Sequence, residues 1–177
     1  MMEEINSIKK EIYVDNEEIS QIVTRLANQI NNDYKDKNPV FVVVLNGAFM
    51  FASDLLKQIN VLSKVTFIKL ASYTKDKSSG TVKQLIGLNE NLKDKDVVII
   101  EDIVDTGLTM QSLRKQILAL DVKSLEIAVL MFKPNKFQCN YPIKYIGKEI
   151  EDPFIIGYGF DLDGYYRNLP AIYQVKE

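Results

Sequence analysis

Glu101, Asp102 and Asp105 put three carboxylates within five positions, between the apolar run VVII (97–100) and the segment Thr106-Gly107-Leu108-Thr109. Like charges so close disfavour one another, and neither a strand nor a helix requires them. A bound group could make the arrangement favourable. Adjacent acids can accept hydrogen bonds from the hydroxyls of a vicinal diol, directly or through a bound Mg²⁺. Just beyond them, where a strand would turn into a helix, unpaired backbone N–H groups make a cradle for phosphate. Gly107 would let the backbone come close, and Thr106 and Thr109 add hydroxyls. Together these features describe a ribose 5-phosphate site. Two plainer readings stand beside it: N-capping of the helix by Asp105 or Thr106, and a solvated acidic turn.

The rest of the composition narrows the chemistry. The 177 residues include no histidine and one cysteine, Cys139. That excludes Ser-His and Cys-His nucleophile pairs, an intramolecular disulfide and multi-cysteine metal sites. Acid–base work therefore falls to Asp, Glu, Lys or Tyr. Hydrophobic content of 46% and charged content of 26% are ordinary for a globular protein, and the length suits one domain, 1–177. A net charge of −2 offers no bulk attraction to nucleic acid or anionic lipid. An anion must be caught by local geometry instead. The opening MMEEINSIKKEIYV carries acids and lacks an apolar core, so no secretory signal is expected. The most apolar stretch, VFVVVLNGAFMFA, is interrupted at Asn46-Gly47 and falls short of the ~20 residues of a membrane span. A cytoplasmic protein with no membrane or nucleic-acid partner is the expectation.

Helices and strands must position these groups. Ile19, Ile22, Val23, Leu26 and Ile30 follow helical spacing behind an Asp15/Glu18 capping box. VFVVVL (40–45) is a continuous apolar run that suits a strand covered on both faces. A helix is expected over 48–59, with Phe51, Leu55 and Ile59 on one stripe, and another carrying Met110, Leu113, Ile117 and Leu120. Further strands are expected at 65–70, 97–100, 124–132, 143–147 and 154–160. Alternating strands and helices with apolar strands argue for an α/β fold whose central sheet is mostly parallel and flanked by helices. In such sheets ligands bind beyond the carboxyl ends of the strands. The stretch ASYTKDKSSGTVKQL (71–85) is too polar to pack; it reads as a solvated excursion or as a mobile lid.

VVIIEDIVDTGLT resembles the phosphoribosyl diphosphate (PRPP) signature of type I phosphoribosyltransferases. LNGAFMFASDL (45–55) resembles the family's pyrophosphate loop, and SYTKDKSSG (72–80) its flexible catalytic loop. KPNKF (133–137) and IIGYGFDLDGYYRNLP (155–170) resemble the purine-binding tail of the hypoxanthine-guanine branch. The pieces stand in family order from about residue 40 onward. The resemblance implies a type I phosphoribosyltransferase fold with a small hood from the N- and C-terminal segments. It implies purine salvage: transfer of the phosphoribosyl group of PRPP to hypoxanthine or guanine, with Mg²⁺ as cofactor.

Residue by residue, the resemblance assigns Glu101 and Asp102 to the ribose hydroxyls and, with Asp161, to Mg²⁺. Asp105, Thr106, Gly107, Leu108 and Thr109 would hold the 5-phosphate, and Asp105 would also take the proton from purine N7. Asn46, Gly47 and Arg167 would face pyrophosphate, and Ser72 and Tyr73 would close over the reaction. Lys133 would donate to the C6 oxygen of a 6-oxopurine, Phe154 would stack on the base and the Ile155 backbone would meet its edge. Without the resemblance Lys133 reads as a solvated lysine, Phe154 as core, and Asp161 and Arg167 as a surface ion pair. Relatives often carry a basic residue where Asn46 stands, so that loop would act through its backbone, which in the family often contains a non-proline cis peptide. A homodimer or homotetramer is the family habit. The alternatives left open are a nucleotide-sensing regulator on the same fold that binds RNA, and a transferase acting on a pyrimidine or xanthine.

Overall fold

The computed structural model describes residues 8–70, 84–88 and 90–176. Ser72 and Tyr73, with the rest of 71–83, lie outside the described residues.

A six-stranded sheet forms the body. Its strands are β2 (Val40–Leu45), β3 (Lys64–Leu70), β4 (Gln84–Ile86), β5 (Asp96–Val104), β6 (Ser124–Phe132) and β7 (Tyr145–Glu149), in spatial order β4-β3-β2-β5-β6-β7. Five of them are parallel and β4 runs antiparallel on the edge. From β2 the chain moves outward to β3, and from β5 outward the other way to β6 and β7. The order therefore reverses between β2 and β5, which makes the gap beyond their carboxyl ends the place where such a sheet takes a ligand.

Helix α1 (Asn16–Asp33) and helix α2 (Phe49–Lys57) cover one face, and α3 (Leu108–Leu118) lies against the other. The VFVVVL run divides between them by strand alternation. Phe41 and Val43 join the α1 and α2 side, whereas Val40, Val42 and Val44 join the α3 side. That is why the run carries no polar residue. Asp15 caps α1 as its spacing predicts, accepting from Glu18 N–H at 2.9 Å. The helix buries Ile19, Ile22, Val23, Leu26 and Ile30 against the sheet, each contributing ~1.5–3 kcal/mol if fully removed from water.

A second, three-stranded sheet joins the two ends of the chain. Strand β1 (Lys10–Val14) pairs antiparallel with β9 (Ile172–Val175), which pairs with β8 (Ile155–Ile156). This is the expected hood.

Several boundaries differ from the sequence expectation. β5 continues through Glu101 and Asp102 to Val104, because β6 pairs with it as far as Val104↔Phe132. The acids thus stand on a strand. The 154–160 run is strand only at 155–156, since Gly157, Tyr158 and Gly159 take φ of 91°, 50° and 103° and turn the chain away. β7 begins at 145, two residues late, where its pairing with β6 begins at Ala128↔Tyr145. Ile59 and Leu120 fall beyond the helices assigned to them.

Candidate active site

β2 ceases to pair with β5 at Val43↔Ile100, so residues 101–104 extend past it. The loop that leaves β2 folds into this space. Its Leu45–Asn46 peptide bond is cis, as the resemblance implies. Gly47 then packs on Asp102 so closely that a Cβ at position 47 would overlap the Asp102 carboxylate. The tail arrives from the other side, where a Cβ at Gly159 would overlap the Gly47 carbonyl. Only glycines permit this stack of acid, loop and tail.

Glu101 and Asp102 are both partly buried. Their oxygens turn back on the strand: Asp102 N–H donates to Glu101 Oε1 at 3.2 Å, and Ile103 N–H to Asp102 Oδ1 at 2.8 Å. Burial, reinforced by the charge of Asp102, pushes the Glu101 carboxyl well above the usual carboxylate range. Burial raises Asp102 as well, against the pull of the Glu101 and backbone hydrogen bonds and the Arg167 charge. Two desolvated acids short of positive charge are a donor set that suits a hard cation or a pair of hydroxyls. Among the described residues, however, no three His, Cys, Asp or Glu side chains cluster as a metal site. Asp161, expected to join the acid pair, is instead ion-paired with Arg167 Nη2 at 2.6 Å and accepts from Gly164 N–H at 2.7 Å. The arrangement fits Mg²⁺ held by two carboxylates and by the substrate's own oxygens, the usual habit of that ion.

Arg167 also donates to the Gly159 carbonyl at 2.6 Å. The expected pyrophosphate cation is thus braced within the tail that presses on Gly47. A hollow of about 460 Å³ opens beside it, lined by Asn46, Phe49, Tyr165 and Arg167 among others.

Beyond β5, Gly107 occupies the N-cap of α3 at φ 82° with no side-chain cap. Neither Asp105 nor Thr106 caps the helix, so simple N-capping does not account for those residues. Thr106 Oγ1 only approaches Leu108 N–H, at 3.4 Å. No acid stands in the first turn, which leaves its amides and the positive end of the helix for an anion. Leu108 and Thr109 are exposed at this rim.

Lys133 follows β6 directly, and its N–H bonds the Val104 carbonyl at 3.0 Å. Its side chain is buried rather than solvated, with Nζ 2.8 Å from Asp152 Oδ1 and 3.9 Å from Asp105 Oδ2. Asp105 Oδ1 is buried and has no hydrogen-bond partner. A buried acceptor left unpaired costs stability, so it stands ready for a donor brought by a ligand. Phe154 is 53% exposed, not core, and its ring is open to stacking. Ile155 is buried and pairs with Gln174 in the hood.

Sequence reasoning misses three contributors. Gly159 falls inside an expected strand, and a second glycine two residues earlier, Gly157, is the signal against that strand. Tyr141 donates its hydroxyl to the Gly107 carbonyl at 2.9 Å, and Asp152 holds Lys133. Neither stands in a motif, so only folding reveals them. Among the described residues no helix is long and apolar enough to cross a membrane.

Residues 10–163 match the model of the phosphoribosyl transferase domain. The chain is 40% identical over 168 residues to the hypoxanthine-guanine phosphoribosyltransferase of Staphylococcus aureus strain Mu50, covering 94% of both chains. It resembles the Staphylococcus epidermidis protein of the same name to the same degree. Among solved structures, a hypoxanthine phosphoribosyltransferase from Staphylococcus aureus superposes with a TM-score of 0.90 at 39% identity, over 98% of this chain and 94% of the other. A hypoxanthine-guanine phosphoribosyltransferase from Bacillus anthracis gives 0.89 at 35% identity, over 96% and 98%. With an open helix start, an acid pair and a glycine-packed loop meeting at the switch point of its sheet, this chain belongs to the hypoxanthine-guanine phosphoribosyltransferase family.

Proposed function

We propose that the protein is the purine-salvage enzyme that joins hypoxanthine, and guanine, to PRPP, giving IMP or GMP and pyrophosphate. The observation that carries this reading is the meeting, at one strand end, of two desolvated carboxylates with an uncapped helix start. A sugar diol would lie on Glu101 and Asp102. Its 5-phosphate would rest on the amides of 106–109. Purine N9 bonds to C1′ as the C1′–oxygen bond to pyrophosphate breaks, and the proton on N7 passes to Asp105. The unpaired Asp105 Oδ1 is the acceptor for it, which suits a chain without histidine.

Lys133 has donors only, so it favours a C6 oxygen over the amino group of adenine. Phe154 would cover one face of the base, and Ile155 would meet its edge through the backbone. The sugar becomes cationic as its bond breaks, so water must be kept away; Ser72 and Tyr73 are assigned that closure. Asn46, Gly47 and Arg167 would receive the leaving pyrophosphate. Mg²⁺, held by Glu101 and Asp102 and approached by Asp161, would supply positive charge against the diphosphate. So charged a substrate does not cross a bilayer, and we assign the reaction to the cytoplasm.

Self-association is part of the same proposal. Leu62, Val65 and Phe67 are 78%, 41% and 47% exposed, and the latter two share one face of β3. A second copy of the chain would cover them, in keeping with the family's dimers and tetramers. Light scattering should give the mass of two or four chains; a monomer at micromolar concentration would count against it.

Labelled hypoxanthine incubated with PRPP and Mg²⁺ should yield labelled monophosphate. No product from any 6-oxopurine, alongside retention of RNA on a filter at low salt, would favour a regulator on this fold instead.

A further inference from the structure

Four side chains of alternating charge run outward from the end of β5: Asp105, Lys133, Asp152 and Lys136. Lys133 Nζ lies 3.9 Å from Asp105 Oδ2 and 2.8 Å from Asp152 Oδ1, and the other Asp152 oxygen lies 2.5 Å from Lys136 Nζ. Lys133 is buried, whereas Asp152 and Lys136 reach solvent. An ammonium taken out of water needs close acceptors. Here two acids compete for one cation, and their distances differ by more than an ångström. Asp152 holds a true hydrogen bond, and Asp105 is kept beyond hydrogen-bond range.

The outcome matters to both neighbours. Were Lys133 free of Asp152, the other carboxylate within ion-pair range would be Asp105. Direct pairing there would take up the acid assigned to the N7 proton and consume donors assigned to the base. We propose that Asp152 is a positioning residue: by gripping Lys133 from the solvent side, and being gripped in turn by Lys136, it holds the ammonium clear of Asp105, so that Lys133 keeps a donor for the purine C6 oxygen and Asp105 keeps an acceptor for its N7 proton.

This inference rests on the phosphoribosyl-transfer reading and specifies how its base subsite is set. Asp152 belongs to no recognisable motif, standing 19 residues after Lys133. It follows Glu151 and precedes Pro153, in the connection between β7 and β8 that brings Phe154 to the site.

Steady-state kinetics on the full chain separate this role from a structural one. Asp152→Asn keeps the shape and removes the charge. The KM for hypoxanthine should rise roughly tenfold, the scale of one charged hydrogen bond. The KM for PRPP, to which neither Lys133 nor Asp152 is assigned a contact, should stay within about twofold. Asp152→Glu, which restores the charge, should recover most of the loss. A base KM within about twofold of the unmodified enzyme, or an equal rise in both KM values, would overturn the proposal. If Asp152→Asn does not fold, Lys136→Met loosens the same grip from outside and should raise the base KM alone; no change there would also overturn it. An unmodified protein that makes no monophosphate fails the functional reading itself. Normal turnover with an indifferent Asp152→Asn fails only this assignment.

Discussion

At the scale of the residue, Asp105 carries the sharpest consequence. One of its oxygens is buried without a partner, and the other is 3.9 Å from an ammonium that a second acid holds away. Asparagine would keep the volume and lose the basicity. Asp105→Asn should therefore lower kcat by ~10²–10⁴-fold, the span of a lost general base, with a much smaller change in the KM for PRPP. Single-turnover measurement of the chemical step checks this, and a variant that loses PRPP affinity but transfers at full speed would put the proton elsewhere. That Asp105 and Lys133 belong to one site is legible in the chain only through the family's motifs. Physically, Lys133 after an apolar strand reads as a solvated lysine, and its burial depends on Asp152 arriving from another loop. Phe154 erred the other way: an aromatic beside Ile-Ile reads as core, yet the hood strand turns its ring outward.

At the scale of the element, the segment 137–141 acts as a buttress for the start of α3. Gln138 N–H donates to the Thr106 carbonyl at 3.0 Å, and the Cys139 thiol approaches the same oxygen at 3.6 Å. Tyr141 donates to the Gly107 carbonyl, and the Phe137 ring fills the space that a Cβ at Gly107 would need. Carbonyls fixed on this side leave the loop's N–H groups on the other. Phenylalanine at 141 would keep the ring and its stacking partners, Phe137 and Arg114, and lose the hydroxyl. Tyr141→Phe should raise the KM for PRPP severalfold while changing the KM for hypoxanthine little, with ~1 kcal/mol lost from folding. Parallel kinetics and urea unfolding would test it; unchanged PRPP binding would reduce the buttress to packing. Sequence periodicity located the large parallel strands and the three helices because apolar patterning follows burial. It missed the continuation of β5 through Glu101 and Asp102, since a strand extending beyond its neighbour has no core to demand apolar residues. It also missed β1 and β9, short strands of a hood that needs both ends of the chain to exist.

At the scale of the whole molecule, contacts distant in sequence close the fold. Asp33, at the end of α1, accepts from the Tyr145 hydroxyl of β7 at 2.7 Å and pairs with Lys144 at 2.8 Å. Tyr158 in the tail similarly donates to Asp54 of α2 at 2.7 Å. The first helix is thereby fastened to the last strand of the large sheet, 112 residues on. The Lys144 and Tyr145 hydrogen bonds hold the Asp33 carboxyl below its ordinary value of 3.8. An acid whose pKa is depressed by folding stabilises the folded state fully above its unfolded pKa, and that contribution drains as pH falls through the folded value. Asp96 shifts in the same direction: burial would raise it, but the Ser124 hydroxyl and Lys123 outweigh that. The stability that Asp33 and Asp96 contribute should thus drain as pH falls from about 5 to 3. The raised Glu101 and Asp102 oppose it in sign, so the Asp33 share is read by comparison with a variant. Asp33→Asn should start lower at neutral pH, having lost the charge that Lys144 faces, and then fall less steeply, because one of the protons driving the transition has no site. Urea titrations of both proteins at pH 7, 5 and 3 resolve the two slopes; parallel curves would mean that the α1–β7 fastening contributes nothing to acid unfolding.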